Sequence, residues 1–211
     1  MTYETLIEEV YSRVLEKLNE IENYRIPVGV SNRHVHVSEE DFITLFGPDA
    51  VLHKKADLKQ PGQFAAEEVV TIRGPKGDFE RVRILGPLRP QTQVEISLSD
   101  SFRLGVKGIV KESGKLTDTP GLELIGPKGK VQLSEGTIVA LRHIHMSPDD
   151  ARRMNVKDGD FVNVQIFGLR KLMLSNVLIR VSPKYQLEMH LDMDEANAGG
   201  IKNGDTAILS K

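Results

Sequence analysis

The chain has 211 residues, 27% of them charged and 39% hydrophobic, and its 28 basic and 30 acidic side chains leave a formal net charge of -2. That near balance argues against a dedicated nucleic-acid binder, which needs a basic excess to neutralise phosphates. No apolar run approaches the ~20 residues that span a bilayer and no signal-peptide core opens the chain, so an intracellular protein without a membrane partner is expected.

Residues 4–21 place Leu6, Ile7, Val10, Val14, Leu15, Leu18 and Ile21 at helical spacing, with Glu8, Glu9, Arg13, Glu16, Lys17 and Asn19 between them. This pattern predicts an amphipathic helix, and Pro27 sets its end by disfavouring helical geometry at Ile26. The remainder alternates in short Val- and Ile-rich runs: Val69–Arg73, Phe79–Leu85, Gln93–Leu98, Lys130–Leu133, Phe161–Phe167, Leu172–Val181 and Gln186–Leu191. Gly, Pro, Asn and Asp separate these runs, which predicts a mainly β protein with few helices. Gly74-Pro75-Lys76-Gly77 and Gly126-Pro127-Lys128-Gly129 each lie between two runs and read as hairpin turns; they lack the spacing and the Lys-Ser/Thr pair of a phosphate loop.

An internal echo carries more information. Arg33-His34-Val35-His36-Val37-Ser38-Glu39-Glu40-Asp41 matches Arg142-His143-Ile144-His145-Met146-Ser147-Pro148-Asp149-Asp150 at the Arg, both His, the Ser and the final Asp. Two similar units facing each other are expected, each with a strand running into a helix that Ser38 or Ser147 caps. On an extended segment the two imidazoles of His-x-His point to one face, a chelating geometry for zinc or a similar metal. The chain has no Cys, so a tightly held metal must use His and carboxylates, and four of the six His fall in these pairs. His190 ends another alternating run and is a fifth candidate, whereas His53, beside Lys54 and Lys55, reads as a surface residue. Taken by spacing alone, Glu95 is a polar-face residue between Val94 and Ile96, and Arg89 a surface Arg in the stiff loop Gly86-Pro87-Leu88-Arg89-Pro90.

The segments Pro27–Ser38, Leu58–Glu68 and Leu85–Glu95, with the second His-x-His, closely resemble the PduL-type phosphate acyltransferases (phosphotransacylases, phosphate propanoyltransferases) over nearly all the chain from residue 26. The resemblance implies a zinc enzyme that interconverts acyl-CoA and inorganic phosphate with acyl phosphate and coenzyme A. It implies two β-barrel domains capped by short α-helices: residues 23–32 plus 141–211 in one, residues 33–140 in the other with a small inserted segment near 47–67, and residues 1–22 as a separate helix. Two Zn2+ would be held, one by His34, His36 and Glu95 and one by His143, His145 and His190. Arg89 would position phosphate, Ser31, Arg83, Leu85 and Asn197 would line the coenzyme A pocket, and His190 would also bind substrate. Where the family pattern has a basic residue before Asp57-Leu58, this chain has Ala56, with Lys55 one place earlier.

On this expectation the first metal takes the thioester or the coenzyme A sulfur, the second holds phosphate, and transfer is direct, with an acyl adduct on Glu95 the less favoured route. A binuclear metallohydrolase using the same ligands, and a non-catalytic microcompartment interaction module, are the alternative readings. The resemblance further implies a homodimer and a place in the lumen of a bacterial microcompartment, otherwise the cytoplasm. Residues 4–21 would then be an encapsulation peptide for shell or cargo proteins, or else a helix packed on its own barrel or a second subunit.

Overall fold

The structure, a computed structural model, describes residues 2–210; the side chains at 17, 19–21 and 23, among them Ile21 of the predicted stripe and its polar neighbours Lys17 and Asn19, fall outside the described set. In chain order the first elements are α1 (Tyr3–Asn23), β1 (Arg25–Ser31), β2 (His34–His36), α2 (Glu39–Phe46), β3 (Lys54–Asp57), β4 (Phe64–Arg73), β5 (Asp78–Gly86), β6 (Gln93–Ile96) and α3 (Leu98–Leu104). There follow β7 (Val110–Lys111), β8 (Glu123–Ile125), β9 (Lys130–Gln132), β10 (Thr137–Ala140), β11 (His143–Met146), α4 (Pro148–Met154), β12 (Phe161–Ile166), β13 (Leu172–Val181), β14 (Glu188–Asp192), α5 (Met193–Gly199) and β15 (Thr206–Ser210).

The protein is mainly β, and its strands fall into two modules with separate cores. β1, β14, β11, β13, β12 and β15 close into a six-stranded barrel, while the other nine strands form a half-barrel whose path runs β7-β10-β6-β2-β5-β4-β8-β9, with β3 paired to β4. β1 thus leaves the N-terminal helix to pair with β14 in parallel and β15 in antiparallel, which ties the start of the chain to its end. Ile26, Val28, Ile144, Val164, Ile179, Met189 and Leu191 fill the closed barrel, and Val35, Ile72, Ile84, Val94, Leu122 and Leu124 fill the half-barrel. The cores are mainly aliphatic, with Phe42 the one buried aromatic of the half-barrel cluster among the described residues.

The strand read as Gln93–Leu98 stops at Ile96, a difference with a local cause. Ser97 caps α3 in a capping box with Asp100, so Leu98 becomes the first helical residue and lies exposed. The same boundary device recurs at Ser147 with Asp150 and at Asp192 with Glu195, and the Ser38 side chain caps α2 by accepting from the Asp41 amide.

Both Gly-Pro-Lys-Gly segments are hairpin turns, joining β4 to β5 and β8 to β9, with Gly74 N donating to Gly77 O and Gly126 N to Gly129 O at 2.9 Å each. Each turn also closes a helix. Lys76 N donates to Leu104 O at the end of α3, and Lys128 N to Leu45 O near the end of α2, both at 3.0 Å, satisfying carbonyls left open by the helix terminus. Gly74 and Gly126 permit this approach, since a Cβ on either would fall inside van der Waals distance of that same carbonyl oxygen.

The modules are joined by polar contacts. Gln60, buried in the segment after β3, lies against the backbone of Gln186 on the other module: Gln60 Nε2 donates to Gln186 O at 2.9 Å, and Gln186 N donates to Gln60 Oε1 at 3.3 Å. Ser99 N donates to Asp194 Oδ2 at 2.7 Å, linking the start of α3 to α5. Among the described residues no side chain of helix α1 makes such a join, and Leu6, Ile7, Val10, Val14, Leu15 and Leu18 are all exposed, so this part of the stripe is not buried on the chain's own barrel. Among the described residues no helix is long and apolar enough to cross a membrane.

Replacing Gly126 with Ala should destabilise the protein by about 1–3 kcal/mol through overpacking, measured as a lower urea midpoint; an unchanged midpoint would mean that the turn does not hold α2. Glu195 gives a second expectation. Burial, then Asp192, raise its pKa from 4.5 to about 7 against the pull of Arg142. A carboxyl whose folded pKa exceeds its unfolded value favours the fold while protonated, so its contribution is complete below about pH 4.5 and is lost as pH rises through about 7. The thermal midpoint of Glu195→Gln should therefore fall less between pH 5 and 8 than that of the parent, whereas parallel curves would remove Glu195 as the cause.

Candidate metal centres and active-site cavity

Four strand-to-helix junctions build the site, two in each module. In every one the residue two places before the helix cap carries a ligating side chain: His36 before Ser38, Glu95 before Ser97, His145 before Ser147 and His190 before Asp192. The junctions pair by strand register. β2 runs antiparallel to β6 with His34 opposite Glu95, and β11 runs antiparallel to β14 with His143 opposite His190. Val35 and Ile144, between the histidines, are fully buried in the two cores and hold the imidazoles on the other face.

Two groups result. The ligating atoms of His34, His36 and Glu95 lie within 4.8 Å of one another, as do those of His143, His145 and His190. His34 Nε2 is 3.4 Å from Glu95 Oε2, His36 Nε2 is 3.9 Å from Glu95 Oε1, and the parallel rings of His143 and His190 stack 5.0 Å apart. The six residues that the sequence singled out as metal ligands are thus brought together in threes.

The protonation chemistry suits metal ions. His34 Nδ1 lies 2.9 Å from Asn32 O and His143 Nδ1 2.7 Å from Leu141 O, the same two-residue backbone contact in both copies; His36 Nδ1 is 3.3 Å from Leu85 O. A carbonyl can only accept, so in the neutral rings the proton sits on Nδ1 and the Nε2 lone pair is left for a metal. Burial lowers the pKa of His36 to about 3, His143 to about 4 and His145 to about 2, with neighbouring imidazoles adding to the effect. Burial opposes ionisation of Glu95, but His34, His36, His143 and Arg89 outweigh it and bring its pKa to about 2. Neutral imidazoles beside an ionised carboxylate are the donor state that divalent metals require. Both nitrogens of His145 are buried without a hydrogen-bond partner, and His190 Nε2 approaches Glu188 Oε2 at 3.1 Å without the alignment of a hydrogen bond. Unpartnered buried nitrogens are costly, and coordination is what would satisfy them. The residues present therefore fit two metal ions.

Both groups open on one cavity of about 650 Å3 between the modules. Arg89 reaches it from the loop after β5, where its amide donates to Val37 O at 2.9 Å and its guanidinium approaches Ser113 Oγ at 3.4 Å. Burial, aided by Arg180, lowers the Arg89 pKa while Glu95 opposes the shift. Ser31, Arg83 and Leu85 also line the wall, but Asn197 does not: it is exposed on α5, where its carbonyl accepts from Arg170. His53 is exposed and paired with Glu68 at 2.7 Å, away from the cavity.

Sequence reasoning missed several residues of the wall. Gln93, only 1% exposed, donates to Glu95 Oε1 at 2.5 Å and to Ser113 Oγ at 2.8 Å, fixing the carboxylate. Gln60, Glu188, Arg180 and Tyr185 arrive from the opposing module or its joint. A polar residue two places before a ligand on the same strand was the one available signal; it points to Gln93 before Glu95 and to Glu188 before His190, both buried, and to none of the others.

Residues 27–202 match the family model described as phosphate propanoyltransferase. The chain is 51% identical over 191 residues to a phosphate propanoyltransferase of Rhodopseudomonas palustris, covering 90% of this chain and 84% of the relative. It is 55% identical over 185 residues to one of Thermotoga maritima, covering 87% and 88%, and 50% identical over 206 residues to one of Priestia megaterium, covering 97% and 95%. With its fold, its two ligand triads and this match over most of its length, the chain belongs to the phosphate propanoyltransferase family of acyltransferases.

Proposed function

We propose that the protein is a zinc-dependent phosphate acyltransferase that interconverts propanoyl-CoA or acetyl-CoA and inorganic phosphate with the acyl phosphate and coenzyme A. The observation that carries this reading is the meeting of two ligand triads and Arg89 on one cavity. One Zn2+ would be held by His34, His36 and Glu95 and a second by His143, His145 and His190, and they would supply Lewis-acid polarisation of the thioester carbonyl and stabilisation of the departing thiolate.

The chain's own residues do the rest. Arg89 clamps two phosphate oxygens and presents a third to the carbonyl carbon, a positioning task suited to a planar fork. A C–O bond forms, the C–S bond breaks, and coenzyme A leaves as a thiolate that takes a proton from solvent. Phosphate is already an anion near pH 7, so no general base is needed. Gln93 and Ser113 hold Glu95 in place, so it serves as a ligand rather than as a nucleophile. Ser31, Arg83, Leu85 and His190 supply the wall for the coenzyme A arm. We assign Asn197, which stands outside the wall, to the outer part of the same nucleotide.

The domains proposed are residues 23–32 plus 141–211 and residues 33–140, in keeping with the two sheets. Residues 4–21 are proposed as an encapsulation peptide that takes a homodimeric enzyme into a microcompartment lumen; the exposed stripe of α1 supports this. A truncation starting at Asn23 should keep turnover and lose compartment localisation, and a truncation that instead loses solubility would assign α1 to the fold.

The test of the reaction is release of coenzyme A thiol from propanoyl-CoA by zinc-loaded protein, which should require phosphate. Release without phosphate would favour the metallohydrolase, which shares the same ligands. His36→Ala should lose metal from one site and lower turnover by more than about 100-fold; wild-type metal content and rate would overturn the ligand assignment.

A further inference from the structure

Four arginines line the cavity, and they differ in what already occupies them. Arg33 is taken up by Asp100, with Nε and Nη2 donating to the two carboxylate oxygens at 3.0 and 2.7 Å, and its guanidinium lies over the Phe79 ring. Arg83 donates to Ala66 O and Glu67 O, both at 2.9 Å. Arg89 has one long contact, with Ser113. Arg180 donates no hydrogen bond among the described residues, where its one ion-pair partner is Glu112, with Nε 3.7 Å from Oε1, and Lys115 holds that same carboxylate at 2.5 Å from its other oxygen. Two forks, one from each module, are therefore left with nearly all their donors open in a cavity that both line.

The strand registers show how Arg180 comes to be there. β2 lies parallel to β5 with His34 beside Arg83, and β11 lies parallel to β13 with His145 beside Arg180. The half-barrel thus has arginine beside its first histidine and Leu85 two places on; the closed barrel has Leu178 beside His143 and arginine two places on. That shift carries the guanidinium from the backbone carbonyls of β4, where Arg83 is spent, to the His145 side of the cavity. The Tyr185 ring lies 4.2 Å from the His145 ring and 5.9 Å from the Arg180 guanidinium carbon, flanking both. The charge of Glu95 acts on Arg89 and that of Glu112 on Arg180, but neither carboxylate accepts a hydrogen bond from these guanidiniums among the described residues, and two partly buried forks with open donors on one cavity form a site for a compact polyanion.

We infer that Arg180 is a second phosphate-binding residue, supplied by the closed barrel to complete with Arg89 a two-sided clamp on the phosphate that accepts the acyl group. The inference rests on the acyl-transfer reading of the cavity. Glu112 holds Arg180 when phosphate is absent and competes with phosphate for it.

The test uses full-length zinc-loaded protein titrated with inorganic phosphate by calorimetry, alongside steady-state kinetics. Arg180→Gln should raise both the Kd and the KM for phosphate about tenfold, with the KM for propanoyl-CoA changed by less than about twofold. Arg180→Lys should recover the loss only in part, because an ammonium cannot reproduce the fork. Glu112→Gln should leave phosphate binding as tight or tighter, the opposite direction from Arg180→Gln. A rise below about fivefold in Arg180→Gln, or equal weakening in Arg180→Gln and Glu112→Gln, would overturn the proposal, the latter by making the pair a brace between modules. Arg89→Gln separates the two levels. If it weakens phosphate binding and Arg180→Gln does not, acyl transfer stands and the second clamp falls; if thiol release in the parent protein is independent of phosphate, the acyl-transfer reading itself falls.

Discussion

The site depends on one geometric constraint: a ligating side chain must sit two residues before a helix cap. At that position the strand is still extended and its side chain points to the open end of the sheet, while the next residue turns into the core and the one after it caps the helix. Val37, Ile96, Met146 and Leu191 are those intervening residues, and all four are buried. The cap fixes where the strand must end, the core residue fixes which way the strand faces, and the ligand is left one possible orientation. A polar cap and an apolar plug thereby set the position of a metal donor to which neither binds.

The same arrangement accounts for the state of the donors. Burial holds His36, His143 and His145 in the neutral form, and carbonyls two residues back orient His34 and His143. Such a set is unfavourable without metal, since His145 keeps two buried nitrogens without partners. The cost is carried by the two aliphatic cores, which lie on the other side of each strand and need no contribution from the site. The joints between modules are polar instead, at Gln60 with Gln186 and Ser99 with Asp194.

The parts of this design that were legible in the sequence are the local ones. His-x-His before a capped helix, the amphipathic stripe of α1 and the two Gly-Pro-Lys-Gly turns are patterns of adjacent residues. Glu95 was not legible from spacing, because it joins its triad through antiparallel register with a strand far away in sequence, and the family resemblance pointed to it; His190 stood out as the end of an alternating run, but its pairing with His143 and His145 depends on register in the same way. Leu98 was misplaced in a strand because its hydrophobicity said nothing of the Ser97 capping box that outranks it. Closure of one sheet and not the other was also hidden, since it depends on β1 finding β14 and β15 at the far end of the chain. Arg180 shows the limit most clearly: its spacing from His145 carries no meaning until β11 and β13 are laid side by side.

The two triads are built alike but differ in one donor, and under the proposed reading that difference divides the chemistry between them. A divalent ion held by three neutral imidazoles keeps both its charges, whereas one held by two imidazoles and the Glu95 carboxylate keeps one. The His143, His145 and His190 side is then the stronger attractor for a phosphate dianion, and it is the side on which Arg180 stands. The Glu95 side, with its weaker field and with Leu85 in the place that Arg180 takes opposite, suits a neutral thioester with an apolar acyl chain. Under that reading one strand-to-helix device used twice, with a single ligand different and one arginine placed two residues further along, separates a nucleophile side from an electrophile side of the same cavity.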